Sequence, residues 1–109
     1  MSMPKRVCAL LAVVATLALA GRGEAKADVA QGRALAEQWC SQCHGVRPSQ
    51  ASTNSEAPTF SAIATEPSAT DFSLRTFLRV PHKTMPNFIL KPEDIDDVVS
   101  YILSLKPQK

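Results

Sequence analysis

The pentapeptide Cys40-Ser41-Gln42-Cys43-His44 constrains this chain more than any other feature of its 109 residues. Two thiols three positions apart lie on one turn of a helix, and the imidazole that follows stands directly beside them. Such a group anchors a haem when the sulfurs add to the two vinyl groups and the imidazole turns to the iron. Three other readings compete. Zinc wants four ligands, and beyond the N-terminal stretch the chain offers Cys40, Cys43, His44 and His82 without a second cysteine pair. A thioredoxin-like redox pair expects a βαβ setting, and no such pattern is present. A disulfide suits an oxidising compartment, but across so short a loop it constrains the unfolded chain little. The histidine immediately after the pair is the mark of haem attachment.

The opening residues read as an address. Lys5 and Arg6 precede an apolar run from Val7 to Ala20, which Gly21 breaks, as in a secretory signal peptide. A spanning helix needs about twenty apolar residues, so a retained anchor is the lesser alternative. Cleavage is favoured after Ala27, behind Ala25-Lys26-Ala27, with the site after Ala20 as the alternative. The chain then divides into a signal peptide, 1–27, and one domain, 28–109, and the destination is the periplasm. Cys8 leaves with the leader. So do Lys5, Arg6, Arg22, Lys26 and Glu24, which turns the formal charge of +2 slightly negative. A nucleic-acid binder would cluster basic residues on one face, and this domain does not. A domain this small benefits from a staple to complete its core.

Helices are expected throughout. Asp28 to about Gln42 lacks proline, and Asp28 can cap it. Val29, Gly32, Ala36, Cys40 and Cys43 follow at intervals of three or four, so one stripe carries both cysteines to the core. Val46 to Ser55 reads as a polar loop with little to bury. A short helix through Ile63 ends before Pro67. Asp71 or Ser73 caps another, with Leu74, Phe77 and Leu78 on one face and Pro81 at its close. Pro92 starts the last helix, followed by Glu93 and Asp94 at the positive end of its dipole. Ile95, Val98, Ile102 and Leu105 form its buried stripe. No alternating or β-branched run suggests a sheet, so the class is all-α.

An iron held by one imidazole has an opposite face to fill. Removing the leader takes Met1 and Met3 and leaves Met85 as the remaining thioether. A methionine on a proline-bounded loop, here between Thr84 and Pro86, is held at fixed depth against a flat cofactor, whereas filler methionines lie more often on a helix stripe. Met85 is the expected ligand. His82 is the rival imidazole, and its plain role is that of a solvated loop residue. The choice matters because His/Met ligation gives a higher reduction potential than two histidines.

From Asp28 to Lys109 the chain resembles the class I, monohaem cytochromes c, in the form of a small exported bacterial member. Gly32 precedes Cys40 at the spacing of the glycine where that family's first helix crosses its last. Val98 and Tyr101 match the aliphatic and aromatic positions that pack against the crossing. The resemblance implies a cytochrome c fold, three to five short helices with the N- and C-terminal ones crossing around one covalently bound haem c. It also implies that the Pro58 carbonyl accepts a hydrogen bond from the second ring nitrogen of His44, fixing the ring; an ordinary turn proline is the alternative. Ala36 departs from the family, many of whose members carry a large aromatic side chain there, and Trp39 is expected to fill that volume. In this family the haem edge near the thioethers is exposed, and electrons are implied to pass there.

With both faces of the iron held, no coordination site remains for bond-making chemistry. The chain is therefore expected to be no enzyme but a single-electron carrier of positive potential, meeting its donor and acceptor proteins by transient docking. A haem subunit bound tightly to a dehydrogenase or oxidase is the alternative, and a gas-binding haem sensor with a labile sixth ligand is a third reading. Arg75, Arg79 and Lys83 against Glu93 to Asp97 are expected to give the surface an asymmetric field. Arg47, Arg75, Arg79 and Asn87 are candidates for the haem propionates and equally surface residues. No nucleic acid and no stable membrane insertion after processing are expected.

Overall fold

The computed structural model describes residues 26–80, 82 and 84–108, so the expected signal peptide lies almost wholly outside the described residues, as do Pro81 and Lys83. The described elements are α1 (Val29–Leu35), which runs on into a π-helical turn (Ala36–Cys40), then α2 (Phe60–Thr65), α3 (Asp71–Arg79) and α4 (Pro92–Ser104). No strand occurs among the described residues, and the fold is the expected all-α one. Among them, no helix is long and apolar enough to cross a membrane.

Asp28 caps α1 as its position suggests, its carboxylate accepting from the Gln31 amide at 3.1 Å. The α-pattern ends at Leu35 rather than near Gln42, because the Ser41 amide donates to the carbonyl five residues back, on Ala36, at 3.0 Å. The Ser41 hydroxyl also donates to the Glu37 carbonyl. The stripe is buried at Gly32 and Ala36 and half-buried at Cys40 and Cys43. Val29, one turn ahead of Gly32, is exposed.

The α1–α4 crossing is tight at Gly32. A Cβ there would lie 1.9 Å from the Asp97 carbonyl oxygen and 3.0 Å from the Tyr101 Cβ, so only a residue without a side chain fits. Ala36, Val46, Phe60, Ala64, Val98, Tyr101 and Ile102 form the buried cluster beside it. Two expectations are corrected. Trp39 does not fill the place near Ala36; it is exposed, its ring edge-on to Phe88 at 5.7 Å. The buried rings of the cluster are instead Phe60 and Tyr101, 6.4 Å apart. Val46 lies in a loop with little expected burial, yet it is fully buried, and the Tyr101 hydroxyl donates to its carbonyl at 2.6 Å.

Thr59 caps α2, which extends past Ile63 to Thr65 before Pro67 forbids continuation. The cap of α3 is Thr70, not Asp71 or Ser73. Thr70 and Ser73 exchange side-chain and backbone bonds at 3.1 and 2.9 Å, a reciprocal box that satisfies two otherwise orphan amides. Leu74 and Leu78 pack on the core while Phe77 stays exposed. Pro92 opens α4, whose Ile95, Val98, Val99, Tyr101 and Ile102 are buried. Arg75 joins the helices, pairing with Asp71 at 2.6 Å and with Asp96 of α4. Arg75 thus ties one residue of the expected basic group to Asp96 of the expected acidic one.

Candidate functional site

The pentapeptide is folded back on itself where the π turn ends. The amides of Cys43 and His44 both donate to the Cys40 carbonyl, at 3.2 and 3.0 Å. The returning chain then clamps it. Asn54 donates its amide to the Cys43 carbonyl at 3.2 Å, and the Thr53 hydroxyl donates to the Gln42 carbonyl. Gly45 donates to the Ser52 hydroxyl at 2.9 Å and accepts from the Phe60 amide at 2.8 Å. A side chain on Gly45 would meet the Gln50 carbonyl oxygen at 2.0 Å, so this close approach requires glycine.

His44 Nδ1 lies 2.6 Å from the Pro58 carbonyl oxygen. A carbonyl only accepts, so Nδ1 is assigned the proton, and Nε2 of the neutral ring keeps its lone pair. The contact coincides with the one the resemblance implies, and it fixes ring orientation and tautomer together. The Phe60 ring lies against the imidazole, centroids 5.5 Å apart.

A cavity of about 860 Å³ opens beside this ring, and Cys40, Cys43, His44, Pro58 and Met85 all line it. The helices supply its apolar wall through Leu35, Ile63, Leu74, Leu78, Val98 and Ile102, and Phe88 adds a ring from the loop before α4. Its volume falls within the roughly 300–1,000 Å³ of sites that enclose an organic cofactor. His82 lines it too. That residue is half-buried and stacked on Phe77, centroids 3.5 Å and planes 26° apart, and so is not a freely solvated loop residue. Of the propionate candidates, Asn87 lines the cavity, whereas Arg47 pairs with Glu37 at 3.0 Å and Arg75 and Arg79 lie elsewhere.

The chemistry of the donors fits a haem better than the competing groups. Burial pushes the Cys40 thiol up to about 11, so it stays protonated at neutral pH. Among the described residues no group of three or more His, Cys, Asp or Glu could hold a metal ion such as zinc, and thioredoxin-like pairs work through a depressed thiol, whereas Cys40 is shifted the other way. Both cysteines are free. A protonated thiol on an apolar wall, an oriented imidazole and a thioether around one large apolar cavity suit a flat cofactor with a metal at its centre. Phe88 escaped notice in the sequence, because it stands in no periodic pattern with the motif.

Residues 27–102 match the family model described as cytochrome C oxidase, cbb3-type, subunit III. The cytochrome c-552 of Bradyrhizobium diazoefficiens is 36% identical over 101 residues, which cover 93% of each chain. No solved structure matches.

Proposed function

The chain belongs to the monohaem cytochrome c family, and from that membership we propose an exported carrier of single electrons, with one haem c attached through Cys40 and Cys43 and its iron held by His44 and Met85. Family membership makes it a haem protein of electron transfer; the finer reading rests on the site. The observation that carries it is the 2.6 Å contact from His44 Nδ1 to the Pro58 carbonyl, made at the wall of the cavity that both cysteines and Met85 share.

The haem, when bound, supplies one reversible electron at its iron. The protein does the rest. Pro58 holds the imidazole of His44 in one orientation, Met85 brings a thioether that raises the potential above that of two imidazoles, and the aliphatic wall from α3 and α4 excludes water. Export by the leader 1–27, with cleavage after Ala27, would put the protein in the periplasm, where it would meet redox partners transiently.

The absorption spectrum of the oxidised protein tests the ligands. A weak far-red band of methionine ligation is expected in the parent and lost in Met85→Ala; a parent without the band refutes the assignment, and His82 becomes the ligand to examine. Carbon monoxide should bind poorly to the reduced parent. A second reading is favoured by the matched family's description as an oxidase subunit: a haem subunit held in a larger complex. Purification from the native source separates the two, since a carrier runs alone and a subunit elutes with its complex.

A further inference from the structure

The amide nitrogen of Asp28 donates to the carboxylate of Asp97 at 2.7 Å, from the start of α1 across to α4. Asp28 uses its other polar groups within α1: its carboxylate accepts from the Gln31 amide and its carbonyl from the Gly32 amide, at 2.9 Å. Asp97 is fixed independently, because its own carbonyl oxygen stands over Gly32 at the tightest point of the crossing. The carboxylate is thus delivered to the Asp28 nitrogen by helix packing.

We propose that Asp97 is the binding site for the N-terminal ammonium of the processed protein, an inference that rests on the exported reading above. Hydrolysis of the Ala27–Asp28 peptide bond takes up one water; the hydroxyl goes to the Ala27 carboxyl and a hydrogen to the Asp28 nitrogen. The new amine takes a further proton and stays against Asp97. A hydrogen bond charged on the carboxylate alone becomes an ion pair. The positive end of α1 disfavours an ammonium there. The carboxylates of Asp97 and Asp28, with Asp94 one turn earlier on α4, offset this, and Lys26 departs with the leader. Cleavage after Ala20 would instead leave the nitrogen an amide.

The exported, haem-loaded protein and its Asp97→Asn variant, which keeps an acceptor oxygen and removes the charge, test the assignment. Intact mass identifies the first residue, and an N-hydroxysuccinimide ester with peptide mapping measures how fast the terminal amine is acylated. A chain beginning at Asp28 is expected, its amine acylated about three- to tenfold more slowly than in the variant near neutral pH. A different first residue, or equal rates, overturns the proposal. Should the variant not accumulate, the pH profile of acylation in the parent decides: a midpoint above the ordinary ~7.7–8.0 supports the site, and one at or below that value refutes it. Absence of haem bands in a parent whose amine is protected would sink the haem reading and leave Asp97 standing.

Discussion

A methyl group on Gly32 would stand 1.9 Å from the Asp97 carbonyl oxygen, and the atom it meets is helix backbone, not the movable end of a side chain. Gly32→Ala is therefore expected to destabilise the protein by about 1–3 kcal/mol as α1 and α4 are forced apart, measured by denaturant unfolding. Tyr101 closes the same region from α4. Removing its hydroxyl in Tyr101→Phe strands the buried Val46 carbonyl, a loss of about 1–3 kcal/mol by the same assay. Burial raises the phenol above its ordinary pKa of 10.0. Its contribution is accordingly complete below that unfolded value and is lost as pH rises through the higher folded one; unfolding titrations of parent and Tyr101→Phe should converge at alkaline pH. Gly32 and Tyr101 were legible through the family resemblance, which matches them to the crossing of the first and last helices. Val46 was not, since its partner bonds a main-chain carbonyl, which leaves no trace in residue type.

Among the elements, the π turn is the one that periodicity conceals. Gly32, Ala36 and Cys40 follow at intervals an ordinary helix also allows, so the residue stripe is the same whether or not the hydrogen bond from Ser41 skips to Ala36. Such a turn holds one residue more than the regular ladder requires. Deleting the exposed Gln38 should let the ladder regularise and leave haem attachment intact. Deleting Ala34, within the regular part of α1, should rotate the cysteines by about 100° from the crossing and abolish attachment. Intact mass of the exported proteins reads both outcomes; equal attachment in the two would show that the turn has no such slack. Helix positions were legible from prolines and caps, because these act within a few residues. The α3 cap fell on Thr70 because the box needs both Thr70 and Ser73 at once, which a search for a single capping side chain overlooks.

For the molecule as a whole, the cavity sets the terms. Residues from all four helices line it, and most of that lining is apolar. Left unfilled, an apolar pocket of about 860 Å³ leaves its lining side chains without packing partners on one side. Cys40→Ala with Cys43→Ala, exported without attached haem, should show little of the parent's helical circular dichroism; a native helical spectrum would mean the helices pack without a filling. The ligand-bearing residues were legible because few residues of each chemical type remain. Leu74, Leu78, Val98 and Ile102 of the wall were legible as helix stripes, whereas Leu35 and Phe88 join them only through topology. The loop from Val46 to Ser55, polar and the least informative stretch to read, proves closely tied to the motif. Its backbone and hydroxyls hold Gln42, Cys43 and Gly45 from the returning strand of chain. In hydrogen exchange the amides of Gly45, Asn54 and Phe60 should consequently open only with the core, on the slowest timescale the protein has, while sequence length and chemistry at the exposed tip near Ser49 are free to drift.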